Sequence, residues 1–419
     1  MIGTGVFTSV GFQLSAVQNS WAILLLWIIG GIMALFGAFA YAELATHFKE
    51  SGGDYIYLSR VFHPLLGYLS AWTALTVGFS APVALAGMAF TRYLAPFGLA
   101  GNVWLAIAII ILIGLMHSFT IRHSSKFQNI TTLVKVLFII VLIIIAFTLK
   151  NDGANSLNFS ASWKQEIFKP GFAVSMVYVT FAYTGWNAAA YIADEIQSPL
   201  KNIPKALIGS TIFVAILYVL FQIALLKHAN VAQLEGKEEV AFIAFNSLLG
   251  TSGGKWVSIF IAFQLIATIS SYLWVGPRVT CAMAKENKLW MRLSKTNAHG
   301  IPVRAIWVQV FIAILLTLTG SFEKILLYAG FVLQLMASLT VASSLFLKNK
   351  KITTYKSPFR PVLQIIFLVF SAWVLILTLV DRPIESLLGL GILLAGSIIY
   401  YFDSPIRQGQ YAGPGDLKE

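Results

Sequence analysis

The sequence predicts an all-α polytopic membrane protein with twelve transmembrane segments, the first of them incomplete. Of its 419 residues, 58% are hydrophobic and only 11% are charged, and the mean hydropathy is +0.79. Soluble domains contain about 45–50% apolar residues. Apolar runs of roughly 20 residues, long enough to span a bilayer, recur along the whole chain. These runs are continuous, whereas the strands of a membrane barrel are about ten residues long and alternate in polarity.

Two of the first five predicted segments are unusual in length. The first contains Gly3-Thr4-Gly5 and ends near Val17, which is too short to cross the membrane. The third is too long for one straight helix, so we expect it to begin with a tilted or surface-lying portion. The second to fifth segments are predicted at residues 21–48, 55–96, 103–120 and 128–149.

Seven more segments follow a polar loop at residues 150–169. They are predicted at residues 170–193, 203–226, 256–284, 303–319, 325–347, 361–380 and 384–402, with a short surface helix at 242–249 before the eighth.

The sixth segment is interrupted near its middle by Thr184-Gly185, inside the stretch from Phe181 to Trp186. Glycine and threonine are poorer helix formers than alanine or leucine. An unpaired backbone group in hydrocarbon costs several kcal/mol, so a break is tolerated only where protein or a cavity surrounds it. The pattern therefore indicates a binding site. Taken alone, a packing glycine in an intact helix is the alternative interpretation.

Glycine interruptions occur at matching positions of two halves, in Gly3-Thr4-Gly5 and in Thr184-Gly185. Such a pair is typical of transporters built from inverted repeats with a site between them. Each repeat would hold five segments, an odd number, so the second would enter the membrane from the opposite side. The predicted divisions are a first repeat at 1–149, a second at 150–347, two added helices at 348–402 and a cytoplasmic tail at 403–419.

Basic residues are unevenly divided between the two sides of the predicted segments. Of the 29 lysines and arginines, 18 follow the even-numbered segments or lie in the C-terminal tail, and 9 lie on the other side. The side richer in basic residues is normally cytoplasmic, so we expect a multi-pass protein of the cytoplasmic membrane with its C-terminus inside the cell. This distribution, rather than nucleic-acid binding, accounts for the net charge of +12.

Few side chains could support catalysis or hold a metal ion. The single cysteine, Cys281, excludes an internal disulfide, and no cysteine–histidine group has the spacing of metal ligands. No nucleophile–base arrangement lies within a segment, which argues against an enzyme. We expect no cofactor, no metal and no nucleic-acid partner.

Two facing helix breaks suit a ligand that carries both charges. A broken helix exposes unpaired N–H groups at the start of one half and unpaired C=O groups at the end of the other. The N–H end attracts a carboxylate and the C=O end attracts an ammonium group. Neither the first nor the sixth segment contains an acidic residue. The pattern therefore favours a zwitterionic α-amino acid as the substrate.

Three stretches of the chain carry a family resemblance. They are Ile2-Gly3-Thr4-Gly5-Val6-Phe7, the stretch from Phe181-Ala182-Tyr183-Thr184-Gly185-Trp186-Asn187 to Ser198-Pro199, and Ser51-Gly52-Gly53-Asp54-Tyr55. They resemble the first helix, the sixth helix with its following loop, and the second loop of the amino acid–polyamine–organocation (APC) superfamily. The L-type amino acid transporter branch is the most similar, and the resemblance covers essentially the whole chain.

The resemblance implies which groups at the breaks would bind a substrate. Amide groups at residues 3–5 would hold the carboxylate, and four carbonyl groups would hold the ammonium. The predicted substrate-binding residues are Ile2, Gly3, Thr4, Gly5, Phe181, Ala182, Thr184 and Gly185. Phe181 would also be an aromatic gate, although membrane phenylalanines more often serve in packing. L-type transporters often have glycine where Thr184 stands, which hints at small or medium neutral substrates here.

Lys135 is a cation well inside the fifth segment, about eight residues and hence about 12 Å from its cytoplasmic start. Snorkelling to the interface is one interpretation. The resemblance implies another, in which its ammonium replaces a sodium ion between the first, fifth and eighth helices and could carry a coupling proton. Ser270 and Ser271 would then be its neighbours, although serines in such helices also serve in helix–helix hydrogen bonds.

Two departures from the family pattern lead to further expectations. The Ile-Gly-x-Gly motif of the family follows a cytoplasmic half-helix, whereas here it begins at Met1. We therefore expect Met1 to be an internal methionine and the first helix to lack its cytoplasmic half. Animal L-type transporters have a cysteine near the position of residues 96–101 that links a heavy chain. This chain has none there, so no disulfide-linked heavy chain is expected.

The predicted function is secondary active transport of neutral L-amino acids by alternating access, through exchange or proton symport. Transport of cationic amino acids or polyamines is the near alternative. It would require an acidic residue in the pocket, and none is evident in the first or sixth segment. A membrane sensor that binds amino acids without transporting them is a further alternative.

Overall fold

The computed structural model describes residues 1–119, 124–149, 162–347 and 355–403. Sixteen α-helices lie within these residues. They are α1 (Thr4–Gln13), α2 (Ser20–Phe48), α3 (Asp54–Val61), α4 (Pro64–Thr73), α5 (Ser80–Tyr93), α6 (Val103–Phe119), α7 (Ser124–Thr148), α8 (Trp163–Glu166), α9 (Pro170–Ala182), α10 (Pro199–His228), α11 (Val231–Leu234), α12 (Val240–Glu286), α13 (Val303–Thr319), α14 (Phe322–Leu345), α15 (Val362–Asp381) and α16 (Pro383–Phe402). A π-helical turn at Ala74–Gly78 joins α4 to α5, and 3₁₀ segments occur at Ala95–Phe97, Ala188–Glu195 and Met291–Ser294.

Eight spans among the described residues are long and apolar enough to cross a membrane. They are α2, the run from α4 to α5, the part of α7 from Gln128, α10, α12, α14, α15 and α16. Three shorter apolar helices accompany them: α6, α9 and α13. The all-α, multi-pass fold class is confirmed, and the count of twelve segments and the inverted repeat remain predictions.

The structure divides one predicted segment into two helices and joins two other predicted helices into one. The third is divided after Val61 into α3 and α4, because Pro64 begins α4 and its ring nitrogen cannot continue the hydrogen bonding of α3. α3 lies outside the eight spans. The surface helix predicted at 242–249 is the first part of the long α12, which bends at Gly250, where φ is 71°.

Burial separates a central group of helices from a peripheral one. Nine of the ten residues of α1 and ten of the 13 residues of α9 are buried. Only five of the 20 residues of α15 and three of the 20 residues of α16 are buried. A helix hidden on all faces belongs to the interior of the protein, and one with a single buried stripe lies at its edge. The two elements with glycine interruptions are therefore at the centre.

Some sequence predictions fall outside the described residues. These are residue 120 of the fourth segment, residues 150–161 of the polar loop, residues 348–354 of the division at 348–402 and residues 404–419 of the tail. Among the counted basic residues they are Arg122, Lys150, Lys348, Lys350, Lys351, Arg407 and Lys418.

Candidate functional site

The predicted break in the sixth segment is present. α9 ends at Ala182, and the chain resumes as the 3₁₀ segment Ala188–Glu195. Gly185 has a φ of 94°, which side chains rarely adopt, and a Cβ there would lie 2.9 Å from the Met1 nitrogen. The carbonyl of Phe181 accepts hydrogen bonds from both the amide (3.0 Å) and the hydroxyl (2.7 Å) of Thr184. These two bonds close the end of α9.

The matching interruption in the first segment is the start of a helix. α1 begins at Thr4, and Gly3 precedes it with no side-chain cap, so the first amide groups of α1 have no partner within the helix. A Cβ on Gly5 would lie only 2.5 Å from the Cα of Ala182. Gly5 therefore lets α1 approach the end of α9 closely.

A cavity of about 450 Å³ reaches both breaks. Seven of the predicted site residues line it: Ile2, Gly3, Lys135, Phe181, Thr184, Gly185 and Ser271. The other four, Thr4, Gly5, Ala182 and Ser270, are not among its lining residues. A cavity of this size falls within the range of small-molecule sites. The structure thus brings together residues about 180 positions apart that the sequence had linked only by pattern.

Lys135 points from α7 to the start of α1. Its ammonium donates to the hydroxyl of Thr268 on α12 (2.9 Å) and to the carbonyl of Ile2 (3.3 Å), and only 5% of the residue is exposed. The side chain therefore lies in the protein interior and does not snorkel to an interface.

The predicted neighbours of Lys135 need a correction. The α12 hydroxyl that Lys135 contacts is that of Thr268, whereas Ser270 bonds to His117 (2.8 Å) and Gln128 (3.1 Å). The hydroxyl of Ser271 donates to Gln128 (2.6 Å). Residues three apart share a helix face and residues two apart do not, so Ser271 lines the cavity with Thr268 while Ser270 points elsewhere.

Two tyrosines that the sequence analysis did not single out hold the breaks in place. The hydroxyl of Tyr218, on α10, donates to the carbonyls of Met1 (2.8 Å) and Ala182 (3.3 Å). The hydroxyl of Tyr272, on α12, lies 3.3 Å from that of Thr184 and lines the cavity. Neither tyrosine stands in a motif, so the sequence offered no signal for them.

The sequence analysis also missed Asp54, the first residue of α3. Among the described residues that line the cavity, Asp54 is the one acidic side chain and Lys135 the one basic side chain. Its carboxylate accepts hydrogen bonds from the hydroxyls of Tyr41, on α2, and Tyr191 (2.8 Å). The amide of Gly52 donates to the carbonyl of Tyr191 (3.2 Å). These contacts join the turn after α2 to the Ala188–Glu195 segment. We call the group formed by Tyr41, Gly52, Asp54 and Tyr191 the Asp54 end.

The far end of α1 is held by the loop before α12. The amide of Gly236 donates to the carbonyl of Gly11 (2.9 Å), and a Cβ on Gly11 would lie 2.0 Å from the carbonyl oxygen of Lys237. Arg92 forms an ion pair with Glu238 (3.4 Å), whose Oε2 is buried without a hydrogen-bond partner among the described residues. Burial raises the pKa of Glu238 to about 7, although Arg92 opposes the change. These five residues form the Glu238 end.

No group of three or more His, Cys, Asp or Glu residues that could hold a metal ion occurs within the described parts of the chain. The site is thus composed of helix ends, hydroxyl groups, one lysine and one aspartate. Such a set can bind a small polar molecule and hold a proton.

Comparison with known proteins gives a consistent result. Residues 1–401 match the family model described as amino acid permease. The chain is 28% identical over 415 residues to large neutral amino acids transporter small subunit 2 of Mus musculus, an alignment that covers 96% of this chain and 78% of the relative. It is 26% identical over 417 residues to b(0,+)-type amino acid transporter 1 of Homo sapiens, covering 96% and 84%. It is 26% identical over 420 residues to Asc-type amino acid transporter 1 of Mus musculus, covering 96% and 78%.

Proposed function

Because the chain belongs to the amino acid permease family, we propose that it is a secondary active transporter of neutral L-amino acids that works by alternating access. Its family and relatives are membrane transporters and not enzymes. The observation that carries the proposal is the cavity of about 450 Å³ that reaches both helix breaks. A helix start on one side of it and a helix end on the other offer complementary charge to a zwitterion.

The carboxylate of the substrate would bind at the start of α1. The amide groups at Gly3, Thr4 and Gly5 precede or begin this helix, and a helix N-terminus attracts an anion. Of these three residues only Gly3 lines the cavity, so in this proposal Thr4 and Gly5 act through the positive end of the helix rather than by direct contact.

The ammonium group would bind among the four predicted carbonyls, which are not equally available. That of Phe181 already accepts two bonds from Thr184, and that of Ala182 accepts one from Tyr218. The Ile2 carbonyl accepts one bond, from Lys135 at 3.3 Å. Ile2 and Thr184 line the cavity whereas Ala182 does not, so the Ile2 and Thr184 carbonyls are the stronger candidates.

The side chain of the substrate would face a small, mostly neutral space. The hydroxyls of Thr184 and Tyr272 lie within hydrogen-bond distance of each other (3.3 Å) on the wall of the cavity, and Phe181 lines the same cavity as the proposed gate. A threonine adds a methyl and a hydroxyl where glycine would leave room. We therefore infer a preference for small or medium neutral amino acids.

Lys135 would stabilise the site without contacting the substrate itself. Its ammonium joins the start of α1 to α12 through its bonds to Ile2 and Thr268. A bound cation at this position would join the same two helices. In this proposal Lys135 stands in for a sodium ion, so sodium coupling is disfavoured and exchange or proton symport remains. Ser271 supports the same face of α12, and Ser270 supports the packing of α12 against α6 and α7.

The wider arrangement is also proposed. The protein would lie in the cytoplasmic membrane with its C-terminus inside, as inverted repeats at 1–149 and 150–347 with two further helices at 348–402. It would act without a disulfide-linked heavy chain, since the sequence has no cysteine near residues 96–101.

Transport of cationic amino acids is the second candidate, because Asp54 lines the cavity. A relative described as a b(0,+)-type amino acid transporter is compatible with it. Polyamine transport and sensing without transport remain alternatives that no observed contact favours.

The test is uptake into proteoliposomes, with each of the proteinogenic amino acids competing against a labelled neutral one, with and without a pH gradient. We expect small and medium neutral amino acids to compete best. Competition confined to lysine, arginine or polyamines would support the cationic alternative. Thermal stabilisation by an amino acid without any flux would support a sensor and contradict the proposal.

The proposed role of Lys135 has its own test. Lys135→Ala removes both hydrogen bonds of the ammonium and should abolish or uncouple uptake, whereas Lys135→Arg keeps a cation and should retain part of it. Lys255→Ala, at an exposed position of α12, is the matched control and should behave as the wild type. Unchanged pH-dependent uptake by Lys135→Ala would exclude the role.

A further inference from the structure

Asp54 is held by hydroxyl groups alone. Each of its two carboxylate oxygens accepts a hydrogen bond, one from Tyr41 in a short contact and one from Tyr191 at 2.8 Å. The Tyr191 hydroxyl in turn accepts a hydrogen bond from the side-chain amide of Asn187 (3.2 Å). Thr340, on α14, faces the same carboxylate. The group thus connects α2, α3 and the segment that follows the break in α9.

No basic side chain pairs with Asp54 among the described residues. The carboxylates of the adjoining turn and segment are engaged elsewhere, and Lys49 of that turn is exposed. These carboxylates form the pairs Glu50–Arg60 at 3.3 Å, Glu195–Arg278 at 3.4 Å and Asp194 with the hydroxyl of Ser51. The other titratable group that acts near Asp54 is the phenol of Tyr57, on the same helix.

Burial therefore dominates the protonation of Asp54. It raises the pKa of the carboxyl above its usual value, and the hydroxyl groups of Tyr41, Tyr191 and Thr340 only partly offset the increase. A carboxylate without a cationic partner, lining the cavity of a transporter, is a group that can exchange a proton with water in that cavity.

Protonation would change the hydrogen bonds that Asp54 makes. An ionised carboxylate accepts from both tyrosines, whereas a carboxylic acid carries one O–H donor and loses acceptor capacity. One of the two tyrosine contacts must then weaken or reverse. The contact with Tyr191 matters most, because Tyr191 lies in Ala188–Glu195, directly after the break that lines the cavity.

The turn after α2 and Tyr191 are closely packed, which leaves little room for either to shift. Gly53 has a φ of 54°, and a Cβ on it would lie 2.4 Å from the ring of Tyr191. The amide of Gly52 donates to the Tyr191 carbonyl at 3.2 Å. A weaker bond to Asp54 therefore affects how the whole segment lies against the turn.

We propose that Asp54 is a proton-binding site of the transport cycle, and that its protonation releases Tyr191 and with it the Ala188–Glu195 segment from the turn after α2. The proton comes from water in the cavity, forms an O–H bond on the carboxylate and leaves to water again. No other covalent bond changes. This inference rests on the proposed transport function and assigns the coupling proton to Asp54 and not to Lys135.

The two residues can be told apart by what else their loss affects. Lys135 contacts Ile2, a proposed substrate-binding residue, so its removal should also impair exchange at equal pH on both sides. Asp54 contacts none of the proposed substrate-binding residues through its recorded hydrogen bonds. Its removal should leave exchange largely intact.

The experiment compares pH-gradient-driven uptake with counterflow at equal pH in proteoliposomes, using the amino acid that competes best in the screen above. Asp54→Asn should lose the response to the pH gradient and retain counterflow. Asp54→Glu, which keeps a titratable carboxyl, should retain the response. Glu50→Gln, which removes an exposed carboxylate from the same turn, is the matched control and should equal the wild type.

Each outcome has a defined meaning. Wild-type protein without uptake or counterflow would contradict the proposed transport function. Wild-type counterflow without any pH response, or an intact response in Asp54→Asn, would overturn the proton site alone. If Asp54→Asn fails to fold, Tyr191→Phe takes its place. Loss of this donor should shift the midpoint of the pH response to higher pH, and an unchanged midpoint would overturn the proposal.

Discussion

The Asp54 end and the Glu238 end both hold part of an interrupted segment against a loop, but they do so by different chemistry. At the Asp54 end, the Ala188–Glu195 segment is bonded through the Tyr191 hydroxyl to the Asp54 carboxylate, beside one backbone bond from the Gly52 amide to the Tyr191 carbonyl. At the Glu238 end, α1 touches the loop through its backbone, with Gly236 donating to Gly11 at 2.9 Å. The Asp54 end therefore contains a bond that depends on the protonation of one residue, whereas the contact of α1 with the loop depends on the shape of the chain.

The two carboxylates differ in the same way. Within the described parts of the chain, both oxygens of Asp54 have a hydroxyl donor and no cationic partner, whereas Glu238 has a cation, Arg92, and one buried oxygen without a partner. Protonation of Asp54 therefore weakens or reverses a bond that joins two elements, although the backbone bond from Gly52 to Tyr191 remains. Protonation of Glu238 only weakens an ion pair beside a contact that persists. We infer that a proton can loosen the Asp54 end, and that the Glu238 end opens only if the backbone moves.

The largest expected effect is at the backbone contact of the Glu238 end. In Gly11→Ala the new Cβ would lie 2.0 Å from the Lys237 carbonyl oxygen, so α1 and the loop must separate. We expect a loss of stability of about 3 kcal/mol, the upper part of the range for overpacking. Thermal unfolding in detergent measures it. Gly209→Ala, where a Cβ has no neighbour within 4 Å, is the control and should not lower the melting temperature.

The second prediction concerns Glu238 and states how the stability of the protein changes with pH. The folded protein has a Glu238 pKa of about 7 against an ordinary value of 4.5, so it holds the proton more tightly than the unfolded chain does. This stabilisation, at most about 3 kcal/mol, is complete below pH 4.5 and is lost as the pH rises through 7.

Glu238→Gln should remove that dependence, because glutamine does not titrate. As the pH is raised from 4.5 to 8, the melting temperature of the wild type should fall relative to that of Glu238→Gln. Glu235→Gln, at an exposed position of the same loop, is the control and should keep the wild-type slope. Parallel profiles for the wild type and Glu238→Gln would show that the ionisation of Glu238 does not affect this end.

A third, smaller effect tests the hydroxyl contacts of the Asp54 end. Tyr191→Phe removes one donor from the carboxylate, and a hydrogen bond to a charged group contributes about 2 kcal/mol. The loss should be largest at a pH where Asp54 is ionised and should shrink as the pH is lowered. Tyr401→Phe, at a position that is 78% exposed, is the control for the loss of a phenol. An equal loss at every pH would mean that Tyr191 acts through packing alone.

The sequence predicted the positions of helices and helix breaks better than the contacts between distant residues. The ninth segment was predicted at residues 303–319 and is α13, Val303–Thr319, because a long apolar run between polar loops specifies a helix locally. The break after α9 was also predicted, since Thr184 and Gly185 are local signals. Helix existence and interruption depend on nearby residues, and both were confirmed.

Contacts between distant residues could not be predicted in this way. Tyr191 and Asp54 are 137 positions apart, and Tyr218 and Met1 are 217 positions apart. The search for an acidic residue was confined to the first and sixth segments, whereas Asp54 enters the cavity from α3. Similarly, Thr268 rather than Ser270 reaches Lys135, because the rotation of α12 about its axis is set by packing and not by its sequence alone.

The smallest expected effect is that of Arg92, and it separates the charge of the Glu238 end from its backbone contact. Arg92 is 48% exposed, and an ion pair at such a position contributes less than about 1 kcal/mol. Arg92→Gln should therefore change the melting temperature little. Because Arg92 lowers the pKa of Glu238, its loss should move the pH at which stability falls to a higher value. Arg60→Gln removes the comparable pair with Glu50 near the Asp54 end and should leave that midpoint unchanged. A large loss of stability in Arg92→Gln would mean that the ion pair, and not the contact of Gly11 with the loop, holds the far end of α1.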